Sequence, residues 1–305
     1  MLKKRLLLNK VILIDTSSLA FRAIFNWERQ MLNAQSQNDD RFILPTHYTY
    51  FNMILSALKK IGLDKDDIVI MALEGKSWRK EWLASYKAQR KEAREKHELI
   101  NWEKEFTKLN KLHEELEEST NWHFIRVWDC AEADDIIAIG CKYFTDKEVI
   151  VVSSDADLKQ LCYYPYVKFF SVCKKCQGSN GMFEVISNPL KIIADKARKG
   201  DISDNLIPSS TDTDEDYELR YFLVNLLELP DYVEDAIKEK LNALQSKELN
   251  LDRLPNFKNA REKFMKIYDK DKVLTYEYCA SLQEKRKTRK AKVAKEKRKL
   301  KQKGE

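Results

Sequence analysis

The sequence is poor in glycine. Only seven of its 305 residues are glycine, and they form no glycine-rich loop. A Walker loop or a dinucleotide-binding turn needs closely spaced glycines so that backbone amides can approach phosphate groups. The chain therefore falls outside most classes of nucleotide-dependent enzyme.

Long apolar runs are also lacking. No stretch approaches the roughly 18 apolar residues of a membrane span. The N-terminal segment MLKKRLLLNKVILID is interrupted at Asn9 and Lys10 and ends in Asp15, unlike a signal peptide. The six cysteines lie mostly in apolar contexts, which favours a reducing compartment. We expect a soluble, cytoplasmic protein with no membrane partner.

Positive charge is concentrated at the C-terminus. From Ser281 to the end, 12 Lys and Arg stand against three Glu, a net charge of +9, whereas the whole chain carries +6. The rest of the chain therefore carries −3. Such a basic tail indicates contacts with nucleic-acid phosphates or with an acidic partner. A solvated helix that only aids solubility is the alternative.

Short apolar runs alternate with helical patterns through the first two thirds of the chain. The runs predict strands at Val11–Ile14, Ile68–Leu73, Phe124–Trp128, Glu148–Val152 and Val167–Val172. Helical patterns lie near 17–30, 46–61, 131–144 and 155–162, and a polar loop near Asn33–Arg41. Apolar strands separated by helices predict an α/β fold with a mostly parallel central sheet flanked by helices.

Changes in composition suggest a domain organisation. We expect an α/β domain over residues 1–186, interrupted at 76–118 by a long Lys/Glu-rich segment with almost no helix breakers. A helical region over 187–282 and a basic, flexible tail over 283–305 would complete the chain.

Carboxylates follow the predicted strands. They are Asp15, Glu74, Glu132, Asp134, Asp135, Asp155 and Asp157. The carboxyl ends of the strands in an open α/β sheet form its ligand-binding edge. A single acid there is commonly a helix N-cap worth about 1 kcal/mol, but converging carboxylates repel unless cations hold them. Oxygen-rich clusters suit Mg²⁺ or Mn²⁺, and two such ions about 4 Å apart serve phosphodiester cleavage.

Four motifs carry a resemblance to a known family. LIDTSSL, EADDIIA, VVSSDADLKQL and KGDISDNL occur in the order found in the flap-endonuclease/5′-nuclease superfamily, and most of all in its bacteriophage ribonuclease H branch. The similarity spans roughly residues 10 to 207, about two thirds of the chain. It implies a PIN-like nuclease fold with a helical arch over 76–118 and a helix–turn–helix in the helical region.

The resemblance also implies a centre for two Mg²⁺ ions, which Mn²⁺ could replace. The matching acids are Asp15, Glu132, Asp134, Asp135, Asp155, Asp157, Asp201 and Asp204, with Asp155 and Asp157 also assigned as catalytic. Asp135 would act through water or as a cap. Glu74 stands where the family usually has Asp, and its extra methylene still allows it to reach a metal. The turn IPSSTDTDEDYELR is acidic and lacks glycine, which disfavours the K⁺ site of many relatives.

The segment Lys76–Lys96 contains eight Lys/Arg against three Glu, with Trp78, Trp82 and Tyr86 at the i, i+4, i+8 spacing of one helical stripe. The stripe fits a helix packed on the core, and the basic-aromatic mixture fits a surface for single-stranded nucleic acid. The resemblance implies that Lys87 and Arg90 contact the scissile phosphate. The predicted nucleic-acid-binding residues are Lys76, Arg79, Lys80, Tyr86, Lys87, Arg90, Lys91 and Arg94.

Together these features predict a monomeric, Mg²⁺-dependent 5′-3′ exonuclease and flap endonuclease. Its substrates would be DNA and RNA–DNA duplexes with 5′ ends or flaps, and its role the removal of RNA primers during phage DNA replication in the host cytoplasm. A single-strand-binding protein or a sliding clamp is a candidate partner. Two alternatives are a PIN-like ribonuclease and a non-catalytic, structure-specific DNA-binding or scaffold protein.

Overall fold

A six-stranded sheet forms the centre of the fold. The computed structural model describes residues 9–37, 43–257, 259–270 and 273–302. The strands are β1 (Lys10–Asp15), β2 (Ile68–Ala72), β3 (His123–Ile125), β4 (Glu148–Ser153), β5 (Val167–Cys176) and β6 (Ser179–Glu184). Their order is β3-β2-β1-β4-β5-β6, and all neighbours pair in parallel except β5 and β6. The predicted α/β fold with a mostly parallel sheet is confirmed.

Two strands differ from prediction. The strand predicted at Phe124–Trp128 ends at Ile125, and Trp128 beyond it is 63% exposed. β6 was not predicted, because its sequence begins with the polar residues Ser179 and Asn180. It folds back on β5 through Gln177 and Gly178, which both have positive φ (49° and 81°). Two consecutive left-handed residues favour a tight hairpin whose twist matches that of its strands.

Helices cover both faces of the sheet. They are α1 (Thr16–Gln37), α2 (Thr46–Ile61), α3 (Arg79–Trp82), α4 (Arg90–Glu95), α5 (Trp102–Ser119), α6 (Ala133–Tyr143), α7 (Leu190–Lys199), α8 (Asp214–Val224), α9 (Asp231–Asn242), α10 (Ala260–Met265) and α11 (Tyr276–Gln302). α1 continues through residues 33–37, where a loop was predicted, and 38–41 lie outside the described residues. The helix predicted near 155–162 is a 3₁₀ helix over Asp157–Tyr163.

Alternating side chains of the sheet pack into two hydrophobic cores, one on each face. In β1, Ile12 and Ile14 face the core formed with α1, α2, α5 and α10, whereas Val11 and Leu13 face the core formed with α6 to α9. Opposite faces are expected because successive side chains of a strand point to opposite sides. The helices after residue 186 thus belong to both cores: Phe264 and Cys279 lie in the first, and Val233 and Ile237 in the second.

The segment after β2 is broken into short helices. α3 ends at Trp82, Leu83 is extended, and Lys87 has a left-handed backbone with φ of 58°. Trp78 and Tyr86 are buried while Trp82 is 57% exposed, so the prediction of one helical aromatic stripe is wrong. The breaks at Leu83 and Lys87 let Trp78 and Tyr86 reach the core while Trp82 stays at the surface.

α11 carries the basic tail as a helix. Its first turns pack on the fold, where Cys279 is buried and the side chain of Gln283 accepts a hydrogen bond from the backbone of Val185. The helix continues to Gln302, and residues 303–305 lie outside the described part of the chain. Within that part, no helix combines the length and the apolar character needed to cross a bilayer.

Candidate active site

The strand order creates one crevice at the carboxyl edge of the sheet. β1 and β4 lie side by side at the centre, with β2 and β3 on one side and β5 and β6 on the other. The connections lead away from β1 and β4 in opposite directions, and ligands bind at such a reversal in open α/β sheets. β1 ends at Asp15, and β4 leads directly into Asp155 and Asp157.

Asp15 is a buried acid at this edge. Its carboxylate accepts hydrogen bonds from the Ser18 amide (2.9 Å) and from the hydroxyl of Ser153 (2.5 Å) on the neighbouring strand. Burial raises the pKa of Asp15 to about 7, with the charges of Asp155 and Glu74 adding to the effect of burial. The two donors hold the Asp15 carboxylate in place and partly offset the effect of burial on its pKa.

Asp134 and Glu74 lie in the same electrostatic environment. Burial raises the pKa of Asp134 well above its usual value, and the charges of Asp15, Asp155 and Glu74 raise it further. Glu74 accepts hydrogen bonds from the Ala133 amide (3.1 Å) and from the Ser17 hydroxyl (3.2 Å). Its longer side chain thus reaches the N-terminus of α6, where the helix dipole favours negative charge.

Glu132 is held by cations. It accepts hydrogen bonds from Ser77 Oγ (2.8 Å) and Arg79 Nη1 (2.9 Å), and it forms an ion pair with Lys87. Burial alone would raise the pKa of Glu132, but Lys87 and Arg79 outweigh burial and lower it to about 2. The pKa of Glu132 is therefore lowered, whereas those of Asp15 and Asp134 are raised.

Arg79 and Asp135 form a buried structural pair. Two guanidinium nitrogens of Arg79 contact Asp135 at 2.8 and 3.1 Å, and Arg79 Nε donates to the Leu223 carbonyl at 2.7 Å. Asp135 also accepts from the Glu132 amide at 2.9 Å, which caps α6. The predicted phosphate contact of Arg79 is wrong, because its side chain is only 3% exposed. Asp135 thus caps α6 and both of its carboxylate oxygens accept hydrogen bonds from Arg79, while its predicted part in metal binding stays a prediction.

The acids Asp15, Glu74, Glu132 and Asp134 form the first acidic group. A second group of acids lies beside it. Ligand atoms of Asp157, Asp201 and Asp204 lie within 4.8 Å of one another, the one group of three or more that the described residues form at this spacing. Asp157 follows β4, whereas Asp201 and Asp204 lie in the loop after α7. The ammonium of Lys196 lies among them, 2.8 Å from Asp201 and 3.0 Å from Asp204, and also contacts Asp157.

Asp155 connects the two groups. Its carboxylate accepts from the Asp157 amide at 2.9 Å, and its own amide donates to Ser153 Oγ at 2.8 Å. Burial is the main cause of the raised pKa values of Asp15, Asp134 and Asp157, and the charge of Asp155 raises them further. Asp155 is therefore a local cap and, at the same time, a charge shared by both acidic groups.

Two basic residues of the α3–α4 segment approach the acids. Besides the Lys87–Glu132 pair, Arg90 Nη2 lies 2.8 Å from Asp204 Oδ1. The Lys87 amide also donates to the Asp204 carbonyl at 3.1 Å. The predicted phosphate-contacting residues thus lie at the acidic groups, paired with carboxylates.

The other predicted nucleic-acid-binding residues divide into two sets. Lys76, Lys80 and Lys91 are exposed, as phosphate contacts require. Tyr86 is only 3% exposed, and the Arg94 guanidinium lies 5.3–5.6 Å from ring centroids of the aromatic side chains around it. Tyr86 and Arg94 therefore mainly position the segment.

Sequence reasoning missed the supporting residues. Ser153 and Ser77, which hold Asp15 and Glu132, resemble any loop serine in sequence. Lys196 had a detectable signal, since it lies on α7 five residues before Asp201. It was overlooked because KARK also fits the ordinary basic end of a helix.

The donor set fits hard divalent cations. The converging ligand atoms are carboxylate oxygens, with serine hydroxyls around them, which is the chemistry that Mg²⁺ and Mn²⁺ prefer. Each acidic group already attracts an ammonium, Lys87 in the first and Lys196 in the second. Burial, and after it the charges of neighbouring carboxylates, raise the pKa values of Asp15 and Asp134 in the first group.

Known proteins share both the sequence and the fold. The chain is 33% identical to the ribonuclease H of enterobacteria phage T4 over 119 residues, which is 38% of this chain and 38% of that relative. The zinc-bound 5′-exonuclease of bacteriophage T5 matches with a TM-score of 0.53 and 19% identity, covering 77% of this chain and 99% of that chain. A bacteriophage T5 flap endonuclease in complex with DNA and metal ions matches with a TM-score of 0.50 and 21% identity, covering 90% and 92%.

The family is shown by the N-terminal part of the chain. Residues 10–186 match the 5′-3′ exonuclease N-terminal, resolvase-like domain, which is more than half of the chain. This range includes β1 to β6 and the acids from Asp15 to Asp157. The chain therefore belongs to the 5′-3′ exonuclease family.

Proposed function

We propose that the protein is a Mg²⁺-dependent 5′-3′ exonuclease and flap endonuclease. The observation that carries the proposal is the meeting of two carboxylate groups, joined by Asp155, beneath Lys87 and Arg90. The substrates would be DNA and RNA–DNA duplexes with 5′ ends or flaps, and the biological role the removal of RNA primers and flaps during phage replication in the host cytoplasm.

Two sets of residues would hold the ions. Asp15, Glu132, Asp134 and Asp155 form the first set, with Glu74 contributing directly or through water; Asp155, Asp157, Asp201 and Asp204 form the second. Bound divalent ions supply an activated water molecule and stabilisation of the leaving oxygen. Ser153 orients Asp15, and Ser77 with Arg79 orients Glu132, so these carboxylates do not need to reorganise when the substrate binds.

The basic residues above the acids would recognise the scissile phosphate. Lys87 and Arg90 now pair with Glu132 and Asp204. When ions neutralise these carboxylates, both side chains can contact a phosphate and stabilise the charge that develops on it. Exposed Lys76, Lys80 and Lys91 extend positive charge along the same segment, which suits a single-stranded 5′ end.

The relatives support this proposal through what they contain. The T5 structures include one with divalent zinc and one with DNA and metal ions. Divalent ions and DNA are what the carboxylate groups and the basic residues Lys87 and Arg90 of this chain would bind.

The test is cleavage of a 5′-labelled flap and an RNA–DNA duplex with Mg²⁺. Asp155→Asn and Asp157→Asn should each lose at least about 100-fold in rate while retaining their circular dichroism spectrum. Asp195→Asn is the matched control, because Asp195 also lies on α7 but pairs with the surface lysines 191 and 199. Wild-type activity in Asp155→Asn would contradict the proposal.

Two other outcomes would favour the alternatives. Binding of forked DNA by the wild-type protein without turnover in Mg²⁺ or Mn²⁺ would indicate a non-catalytic DNA-binding protein. Cleavage of single-stranded RNA that needs no junction would indicate a PIN-like ribonuclease.

A further inference from the structure

Lys196 contacts all three acids of the second group, whereas Arg90 pairs with Asp204 alone among them. Its ammonium lies 2.8 Å from Asp201 Oδ2 and 3.0 Å from Asp204 Oδ2, and it contacts Asp157 Oδ2. The side chain is only 12% exposed. Three carboxylate contacts to one enclosed ammonium are the arrangement that a small cation would make with the same oxygens.

The acids of this group respond to the ammonium. Burial alone would raise the pKa of Asp201, but hydrogen bonds from Lys196 and Ser203 lower it to about 2. Burial opposes the charge of Lys196 as well, yet Asp157 and Asp204 raise its pKa.

The backbone of Lys196 is anchored, and its side chain is long enough to place the ammonium elsewhere. Neighbouring Ile193 and Ala197 are buried and anchor α7 to the core. Four methylene groups separate the ammonium from this anchored backbone, so the charge can leave the carboxylates by side-chain rotation alone. The first acidic group differs, since its ammonium, Lys87, contacts Glu132 and leaves Asp15 and Asp134 without a cationic contact in the described residues.

We propose that Lys196 is a built-in competitor for the second divalent ion and sets the affinity of that site. The inference rests on the proposed metal-dependent function. The first ion binds without displacing Lys196, whereas the second binds only after the ammonium has left Asp157, Asp201 and Asp204. The two sites therefore fill in order, and the displaced lysine becomes available to an anionic group of the substrate.

The experiment measures metal binding and not cleavage. Free Mn²⁺ is counted by electron paramagnetic resonance during titration of the full-length protein, which gives the number and affinity of the sites. The wild type should show one tighter and one weaker site. If Lys196 occupies the second site in about nine molecules of ten, Lys196→Met should tighten the weaker site about tenfold.

Three variants test whether the charge of Lys196 is what weakens the second Mn²⁺ site. Lys199→Met removes the same charge from the same helix, but Lys199 is exposed and pairs with Asp195, so Mn²⁺ binding should stay at the wild-type level. Lys196→Arg keeps a positive charge and should leave the second site weak. Asp201→Asn should abolish the weaker site in the wild-type and Lys196→Met backgrounds, which assigns that site to this group.

Thermal unfolding provides a second readout. In EDTA, Lys196→Met should melt below the wild type, because Asp157, Asp201 and Asp204 each lose an ion-pair contact. Mn²⁺ should raise the melting temperature of the variant more than that of the wild type. Equal Mn²⁺ affinities in Lys196→Met, Lys199→Met and the wild type would overturn the inference and leave the proposed function intact. A wild-type protein that binds no Mn²⁺ would overturn both.

Discussion

Arg79 and Lys87 show that neighbouring basic residues of one segment have different roles. Both belong to Lys76–Lys96, where composition gives them the same predicted contact with phosphate. Arg79 is enclosed and ties α3 to Asp135 of α6 and to the Leu223 carbonyl of α8. Lys87 lies at the edge of the crevice on Glu132, and its side chain is 13% exposed. Burial and partners, and not charge, separate the two roles.

Arg79→Met should destabilise the protein by about 3–5 kcal/mol, because it leaves buried Asp135 without its cation. The measurement is urea unfolding at neutral pH. Lys80→Met is the matched control, since Lys80 is the adjacent exposed basic residue and should change stability by less than about 0.5 kcal/mol. Equal stability of the two variants would contradict the structural role of Arg79.

His113 should make folding sensitive to acid. It is hydrogen-bonded to the Tyr50 hydroxyl at 2.8 Å, and burial lowers its pKa to about 4, with Arg126 contributing. Because the folded pKa is lower than the unfolded value of about 6.5, the unfolded state gains protons first as pH falls. Above about pH 6.5, His113 therefore does not lower the free energy of unfolding. Between about pH 6.5 and 4 it lowers this free energy by about 1.4 kcal/mol per pH unit.

The free energy of unfolding of the wild type and His113→Phe, measured from pH 7.5 to 4.5, checks this expectation. The variant loses the bond to Tyr50 but should show a shallower decrease in stability below pH 6.5. Parallel pH profiles for the two proteins would show that His113 does not titrate as expected.

At the scale of elements, the end of α7 sets the geometry of the second acidic group. Gly200 follows the helix with φ of 76°, and its amide donates to the Lys196 carbonyl at 2.8 Å. Asp201 then pairs with Leu206 as an isolated bridge, which closes the loop that carries both acids. The glycine is required because a Cβ at this position would lie 2.3 Å from the Leu206 carbonyl and from Pro208 Cδ.

Gly200→Ala should therefore lower the free energy of unfolding by more than the about 1–2 kcal/mol that left-handed backbone strain alone would cause. It should also weaken the lower-affinity Mn²⁺ site, because the loop must shift away from the new methyl group. Gly178→Ala is the matched control: Gly178 has φ of 81°, but a Cβ there meets nothing within 4 Å. Thermal unfolding and Mn²⁺ titration of both variants test this expectation. Similar losses of melting temperature and of Mn²⁺ affinity in the two variants would contradict the steric argument.

At the scale of the whole molecule, charge is separated between body and tail. The first 280 residues carry a net charge of −3 and the last 25 carry +9. The structure places this positive charge on α11, where the side chains of Glu284–Ala291 are exposed. A long basic helix would attract the phosphates of a nucleic-acid substrate.

Removal of residues 288–305 should weaken DNA binding and reduce its salt dependence. The deleted segment contains nine Lys/Arg and two Glu, and each lost phosphate contact should lower the slope of log K against log salt by about 0.9. The cut lies after Gln283, which contacts the core, so the melting temperature should be retained. Binding of a labelled flap at several salt concentrations checks this, and an unchanged slope would show that the tail does not contact phosphates.

The sequence by itself determined the parallel sheet, the acids at its carboxyl edge and the family. These features depend on local apolar runs and on motifs that are contiguous along the chain, such as EADD and VVSSDAD. Only the tertiary structure decided which charges are structural, because burial and ion pairing join distant residues, as Arg79 joins Asp135. The same reason explains Lys196: its role became visible only when folding brought Asp157 from β4 to the end of α7.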